Sequence, residues 1–163
     1  MSDLPLFPLG IYGTLNSTDV WESWSNWFNT IAIGFDEPSS FKVNFEDILQ
    51  ACDVLGMNVL FETSYFLRYE ALNDLLDLIL TVADHPSIYA WYVVDEPGIS
   101  FEGGANSSQI DGDTIREAVE IIQQIDNRPT FVQFSLLGQN ESFLDAFAEV
   151  PNFVDIISVD PYL

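Results

Sequence analysis

The chain alternates between two kinds of apolar pattern. Short runs rich in Ile, Val, Phe and Tyr are typical of buried strands, and the longer segments between them carry apolar residues at helical spacing. Because the two patterns alternate strictly, they predict a parallel sheet with right-handed crossovers, either doubly wound or closed into a barrel. The predicted strands are Leu9–Tyr12, Thr30–Phe35, Asn58–Phe61, Ile88–Val94, Thr130–Phe134 and Val154–Val159.

The helical segments are bounded by residues that start or stop helices. Asn44 is a predicted N-cap, and Gly56 is suited to the left-handed turn that ends the same helix. A second apolar stripe runs from Leu72 to Ala83 and stops before a proline, and a third helix is predicted to begin near Asp113. These helices supply the crossovers between consecutive parallel strands.

The spacing of the strands favours the barrel. Strand starts lie about 29 residues apart, so eight units would need about 232 residues, near the ~250 that is typical of a (β/α)8 TIM barrel. The first strand leads into Gly10-Ile11-Tyr12-Gly13, which does not match the G-x-G-x-x-G dinucleotide fingerprint. The sequence therefore predicts an α/β protein in which residues 1–163 form a single, partial TIM-barrel catalytic domain with about six of eight strand–helix units.

The net charge of the chain restricts the classes of molecule that it is expected to bind. The 163 residues include 26 Asp and Glu against 4 Lys and Arg, for a formal charge of −22. A surface this acidic repels phosphate, so neither nucleic acid nor an anionic membrane is an expected partner. It fits a solvated acidic surface or adaptation to a high-salt habitat. No signal peptide or membrane-spanning run is visible, and the compartment stays open.

The cysteine and histidine content restricts the chemistry further. One Cys and one His exclude an internal disulfide and a zinc site built from those two residue types. No Asp-rich loop of EF-hand spacing is present, and we expect no cofactor and no resident metal. Carboxylates are thus the main candidates for catalysis.

Barrel enzymes carry their reactive groups where the strands end, at the carboxyl face. Strand alternation places Glu96 on the side of Val94 and Tyr92, with Asp95 on the opposite side. Pro97 then forces an abrupt exit, and the apolar strand end favours the protonated carboxyl that a general acid requires. The polar residues at or just after predicted strand ends are Asp36, Glu37, Glu62, Asp95, Glu96, Gln133, Ser135, Asp160 and Tyr162.

One of these strand ends belongs to a motif. The segment from His85 to Pro97, which ends in Asp-Glu-Pro, resembles the fourth-strand signature of clan A glycoside hydrolases, which are retaining TIM-barrel enzymes. The resemblance implies that Glu96 is the acid/base and that Asp160 and Tyr162 line a carbohydrate pocket. Asp95 stands where the family usually has an Asn, so it can accept but not donate a hydrogen bond to substrate. The predicted substrate-binding residues are Asp95, Asp160, Tyr162, Glu62 and Gln133.

The same resemblance implies that half of the catalytic pair is missing. In this family the nucleophile ends strand seven, and the pattern here stops at a sixth strand. Retention needs two carboxyl groups about 5–5.5 Å apart. We therefore expect a retaining glycoside hydrolase acting on a poly- or oligosaccharide, with its nucleophile outside this chain, and we expect residues 1–163 alone to be inactive.

Two alternatives remain open. The chain is also compatible with a non-catalytic carbohydrate-binding barrel, or with a barrel completed by a partner or by self-association through unpaired strand edges. A carboxylate-metal hydrolase would instead use Glu62, Asp95 or Glu96, and Asp160 to hold a divalent ion that activates water.

Overall fold

The structure, a computed structural model, describes residues 10–12, 25, 28–34, 45–97, 110–135, 145 and 147–160. Within these residues, six strands form one parallel sheet. Each strand pairs with the next strand along the chain. The strands are β1 Gly10–Tyr12, β2 Thr30–Ile33, β3 Asn58–Glu62, β4 Ile88–Asp95, β5 Thr130–Ser135 and β6 Ile156–Asp160.

The strand order distinguishes the two predicted architectures. A doubly wound sheet reverses its order at a switch point, whereas this sheet runs β1-β2-β3-β4-β5-β6 without reversal. Right-handed crossovers in one continuous direction place every helix on the same face of the sheet. That is the arrangement of a TIM barrel, in which the other face becomes the interior.

Four α-helices and one short 3-10 helix connect the described strands. Their apolar stripes match those predicted from the sequence, except that helix α2 was not expected and α4 begins one residue before Asp113. The side chain of Asp111 caps α4 by accepting a hydrogen bond from the Thr114 amide at 2.8 Å. The helices are α1 Phe45–Leu55, α2 Ser64–Arg68, α3 Leu72–Val82 and α4 Gly112–Ile125, with the 3-10 helix at Val150–Asn152.

One of the two predicted ends of helix α1 can be assessed. Gly56 has φ of 67°, so it supplies the expected left-handed turn after α1, where most side chains would be strained. The Met57 amide then donates to the Cys52 carbonyl oxygen at 2.9 Å, which closes the turn. The predicted cap Asn44 lies outside the described residues.

The hydrophobic core lies between the sheet and its helices. Burial raises the pKa of the Cys52 thiol in α1 to about 12, so this residue behaves as a small buried hydrophobe. Among the described helices, none is long and apolar enough to span a membrane. Buried core residues from the sheet and the helices include Val59, Phe61, Trp91, Val132, Leu49, Leu75, Ile79, Ile115 and Ile122.

The strand ends differ slightly from the prediction. Strand β2 ends at Ile33 rather than Phe35, and Phe35 lies outside the described residues. The next four strands each reach one residue further toward the carboxyl end than predicted. Glu62, Asp95 and Asp160 are consequently the last residues of β3, β4 and β6 rather than the first residues of loops.

Candidate active site at the carboxyl ends of the strands

Five of the six predicted site residues lie along one edge of the sheet. Glu62, Asp95 and Asp160 end their strands, Gln133 lies near the end of β5, and Glu96 directly follows β4. Because all the strands are parallel, these positions share the carboxyl edge. The sixth predicted residue, Tyr162, lies outside the described residues, as do Asp36 and Glu37.

The strand register places several of these side chains on one face. Glu62 pairs with Tyr92, and Tyr92 pairs with Phe131, whose ring centroid lies 4.6 Å from that of Tyr92. Two positions after Phe131 in β5, Gln133 pairs with Asp95. Ladder partners share a face, as do alternate residues within a strand. The face opposite the Phe61–Trp91 ring contact therefore carries Glu62, Tyr92, Asp95 and Gln133.

The prediction that Asp95 and Tyr92 lie on opposite faces is wrong. The register of β4 against β5 shifts between Tyr92 and Val94, which is a β-bulge that inserts one extra residue. Beyond the bulge the alternation changes phase, so Asp95 returns to the face of Tyr92. The Tyr92 hydroxyl donates to Asp95 Oδ1 at 2.5 Å, which confirms the shared face. Simple alternation cannot anticipate a bulge.

One carboxylate oxygen of Asp95 accepts hydrogen bonds from two side chains of this face. Its Oδ1 accepts the short hydrogen bond from Tyr92 and a longer one, 3.4 Å, from the Gln133 amide nitrogen. Both donors are neutral side chains, and Asp95 is only partly buried. The arrangement orients the carboxylate, and its second oxygen can accept a hydrogen bond from a ligand hydroxyl.

Glu96 combines an unusual backbone with a buried carboxyl oxygen. Its φ is 48°, a left-handed conformation that costs a non-glycine residue on the order of 1–3 kcal/mol and persists only where the surroundings impose it. Among the described residues, Glu96 Oε1 is buried and has no hydrogen-bond partner. Such an atom normally costs stability and needs a physical explanation.

Glu62 occupies space that a glycine leaves open. Its side chain is only 6% exposed and lies against Gly34, just beyond β2. A Cβ added to Gly34 would come within 2.8 Å of Glu62 Cδ and closer still to Oε2. The carboxylate therefore packs over the backbone of the neighbouring strand end, which only a residue without a side chain permits.

Helix α2, which was not predicted from the sequence, contacts this edge. Helix α2 begins directly after Thr63, and Thr63, Ser64 and Arg68 all bond to the end of β4. At five residues the helix is too short to produce a helical period. The only local signal was the Thr63-Ser64 pair, which is typical of a helix start.

Within the described residues, the carboxyl edge forms no metal site. Among the residues that the structure describes, no three His, Cys, Asp or Glu side chains converge so that they could hold an ion. Glu62, Asp95, Glu96 and Asp160, the ligands of the carboxylate-metal alternative, thus do not form such a group. The geometry gives that alternative no support.

Comparison with known proteins bears on the fold. No protein-family model and no curated protein sequence matches this chain. Among solved structures, it is similar to a β-glucuronidase from Ruminococcus gnavus in complex with uronic deoxynojirimycin, with TM-score 0.57 and 15% identity over 88% of this chain. It is also similar to a GH10 xylanase from Bispora sp. MEY-1 with xylobiose, with TM-score 0.60 and 13% identity over 92% of this chain.

These matches confirm the predicted architecture. Both neighbours are TIM-barrel glycoside hydrolases, and the sequential parallel sheet of this chain is the corresponding part of a barrel. The chain spans 24% of the glucuronidase and 60% of the xylanase. The fold is thus α/β of the TIM-barrel type, with six strands in the described residues, and it is a fold shared with glycosidases.

Proposed function

We propose that this chain is the acid/base-bearing part of a retaining glycoside hydrolase that acts on a poly- or oligosaccharide. The observation that carries the proposal is the state of Glu96: at the carboxyl edge of the sheet, with left-handed backbone and a buried, unpartnered Oε1 among the described residues. In the proposed role, Oε1 contacts the glycosidic oxygen of the substrate, and Glu96 donates a proton to that oxygen. The fold shared with two glycosidases supports the same assignment.

In the proposed mechanism, Glu96 protonates the leaving-group oxygen and later removes a proton from the attacking water. The nucleophile is a second carboxylate, about 5–5.5 Å from Glu96, contributed from outside residues 1–163. Asp95 accepts a hydrogen bond from a sugar hydroxyl while Tyr92 and Gln133 orient it. Glu62, Asp160 and Tyr162 complete the substrate-binding set, and residues 1–163 form one partial catalytic domain.

The last strand supports a contribution from outside the chain. Ile157 and Val159 in β6 are 38% and 46% exposed, although both are large apolar residues on one side of the strand. Further strand–helix units of a barrel would cover such a face. The same observation also favours the second candidate, a carbohydrate-binding barrel completed by a partner chain or a second copy.

The acid role of Glu96 predicts a dependence on the leaving group. In a full-length protein that contains this chain, Glu96→Gln should lower kcat/KM by about 10²–10⁴ for an alkyl glycoside, which needs protonation. A 2,4-dinitrophenyl glycoside needs no proton at its leaving oxygen, so the first bond cleavage should be nearly unaffected in a pre-steady-state assay. The exposed residue Glu117 offers a matched control, Glu117→Gln.

A covalent label tests where the nucleophile lies. A 2-deoxy-2-fluoro glycoside traps the glycosyl-enzyme intermediate, and peptide mapping should place the label outside residues 1–163. Equal losses for both leaving groups would refute the acid role, and a label on Glu62 would refute the external nucleophile. Saccharide binding without any label would favour the binding barrel, and residues 1–163 alone should give no turnover.

A further inference from the structure

We infer that Thr63, Ser64 and Arg68 are positioning residues that hold the end of β4 so that Glu96 keeps its left-handed backbone. We call these three residues the β3–α2 clamp. The inference rests on the proposed role of Glu96, because only then does its backbone geometry bear on catalysis. It assigns a function to the short helix that the sequence did not predict.

The clamp first engages the β-bulge in β4. A bulge disrupts the regular ladder and leaves backbone groups that need other partners. Here the Thr63 amide donates to the Tyr92 carbonyl oxygen at 2.8 Å, and the Thr63 hydroxyl donates to the Val93 carbonyl oxygen at 3.0 Å. Thr63, directly after β3, thus continues the regular β3–β4 ladder at Tyr92 and, through its hydroxyl, bonds the carbonyl group of the inserted Val93.

The other two clamp residues form hydrogen bonds with both backbone groups of Asp95. The Asp95 amide donates to Ser64 Oγ at 2.8 Å, and Arg68 Nη2 donates to the Asp95 carbonyl oxygen at 2.8 Å. Both bonds run to side chains of helix α2, which lie about thirty residues away along the chain. The final residue of β4 is therefore fixed to α2 rather than to the backbone of β3.

These contacts fix the peptide unit that precedes Glu96. The carbonyl oxygen of that unit, from Asp95, accepts from Arg68, and its amide, from Glu96, donates to the Gln133 carbonyl oxygen at 2.9 Å. A peptide group is planar, so bonds at both ends set its orientation. The φ of Glu96 is the rotation that leads out of this plane, and the unfavourable value of 48° needs such an external constraint.

Arg68 is the member of the clamp that can be tested most cleanly. Its bond is charge-assisted, which makes it stronger than a bond between neutral groups. Arg128 provides a matched control, because its Nη2 also donates to a backbone carbonyl oxygen, that of Ala83, at 2.6 Å. This second arginine pairs with Asp126 and lies at the opposite edge of the sheet.

The experiment compares Arg68→Met, Arg68→Lys and Arg128→Met in the 163-residue chain by NMR. The intraresidue NOE between the amide and Hα protons of Glu96 reports its backbone, because these protons lie close together at positive φ. Arg68→Met should weaken this NOE and accelerate amide exchange of Asp95 at least tenfold. Arg68→Lys should restore both, and Arg128→Met should change neither, even where it lowers the melting temperature more.

An unchanged Glu96 NOE in folded Arg68→Met would overturn the clamp. Should that variant fail to fold, Ser64→Ala removes the acceptor of the Asp95 amide and must produce the same NOE change. The readout needs no turnover, so the clamp and the proposed function fail separately. In an active full-length protein, Arg68→Met should lower kcat and leave KM unchanged, because the clamp acts on Glu96 and not on substrate.

Discussion

Carboxylates at the two edges of the sheet differ in the hydrogen-bond donors that they meet. At the amino edge, where strands begin, Asp53 and Asp155 each accept bonds from a strand-start amide, those of Ser87 at 2.9 Å and Thr130 at 2.8 Å. Asp126 accepts from the Trp91 indole at 3.0 Å and pairs with Arg128. At the carboxyl edge, Asp95 has only neutral side-chain donors, and Glu96 has a buried oxygen without a partner among the described residues.

The difference lies in the donors to the carboxylate oxygens, because Arg68 at the carboxyl edge bonds to a backbone carbonyl oxygen, whereas Arg128 at the amino edge pairs with a carboxylate. Carboxylates at the amino edge satisfy strand starts and join neighbouring elements, so they contribute to stability. At the carboxyl edge, no donor to Glu96 Oε1 lies among the described residues. This division is general for barrels, in which the carboxyl face carries the chemistry and the amino face supports the fold. It predicts that substitutions at the two edges will have opposite consequences.

The largest expected effect on stability is at Asp126. Its Oδ1 accepts from the Arg128 amide at 3.0 Å, and its Oδ2 accepts from Trp91 and pairs with Arg128. In Asp126→Asn, the new NH2 group must face one of these donors, so at least one bond is lost together with the ion pair. We expect a loss of about 3 kcal/mol in the free energy of unfolding, measured by urea denaturation.

The matched substitution at the other edge is Glu96→Gln. It is equally isosteric, but no bond to the replaced Oε1 exists among the described residues, so the free energy of unfolding should change by less than about 0.5 kcal/mol or rise. Comparable losses at Asp126 and Glu96 would abolish the distinction between the edges. It would then be wrong to treat Glu96 as a residue retained for function.

A smaller effect is expected at Gly34, where a glycine makes room for a carboxylate of the carboxyl edge. Gly34→Ala would drive its Cβ into the buried side chain of Glu62, at a cost of about 2 kcal/mol. Because the clash is with one side chain, Gly34→Ala should cost much less stability in a protein that already carries Glu62→Ala. A double-mutant cycle by urea denaturation should give a coupling of about 1–2 kcal/mol.

Gly56→Ala is the control for that cycle. Gly56 has φ of 67° and no neighbour within 4 Å of an added Cβ, so its cost arises from backbone strain alone. It should show no coupling to Glu62→Ala. If Gly34→Ala behaves in the same way as Gly56→Ala, then Gly34 serves a backbone requirement and does not shape the site.

The fold was largely predictable from the sequence because its signals are periodic. The strand at residues 88–95 and the helix at residues 45–55 lie within one or two residues of their predicted bounds, since runs of buried residues determine both. Alternation of strands and helices then predicted a parallel sheet. The length of the strand–helix unit and the missing glycine fingerprint both favoured a barrel over a doubly wound sheet, and the strand order confirms the barrel type.

The site was less predictable because its geometry depends on local irregularities. The bulge between Tyr92 and Val94 moved Asp95 to the other face, and a bulge leaves no periodic signal. The clamp residues Ser64 and Arg68 bond to backbone atoms, so no motif marks them. Sequence indicates which residue types lie at strand ends, whereas their orientation depends on contacts between distant segments.

An effect smaller than that at Gly34 tests whether donors, rather than the edge itself, decide how a carboxylate contributes to stability. Asp111 is the N-cap of α4, the helix that follows the carboxyl end of β4. Its Oδ1 nevertheless accepts hydrogen bonds from both the amide and the hydroxyl of Thr114, each at 2.8 Å. The backbone hydrogen bond from Thr114 is the main reason why the pKa of the Asp111 carboxyl lies below its usual 3.8. It should therefore resemble the amino-edge carboxylates, on the smaller scale of an exposed helix cap.

Asp111→Ala should lower the free energy of unfolding by about 1 kcal/mol at neutral pH, the usual value of an N-cap. Because the folded-state pKa of Asp111 is lowered, the part of this stabilisation that depends on its charge is present above pH 3.8 and is lost as pH falls through the lowered value. Asp111→Asn keeps the acceptor without the charge, so it should lose little stability at neutral pH and lack this acid dependence. Urea denaturation of the three proteins from neutral to acid pH measures both. If Asp111→Asn keeps the full acid dependence, other carboxylates cause it, and donor saturation does not explain the contrast between the two edges.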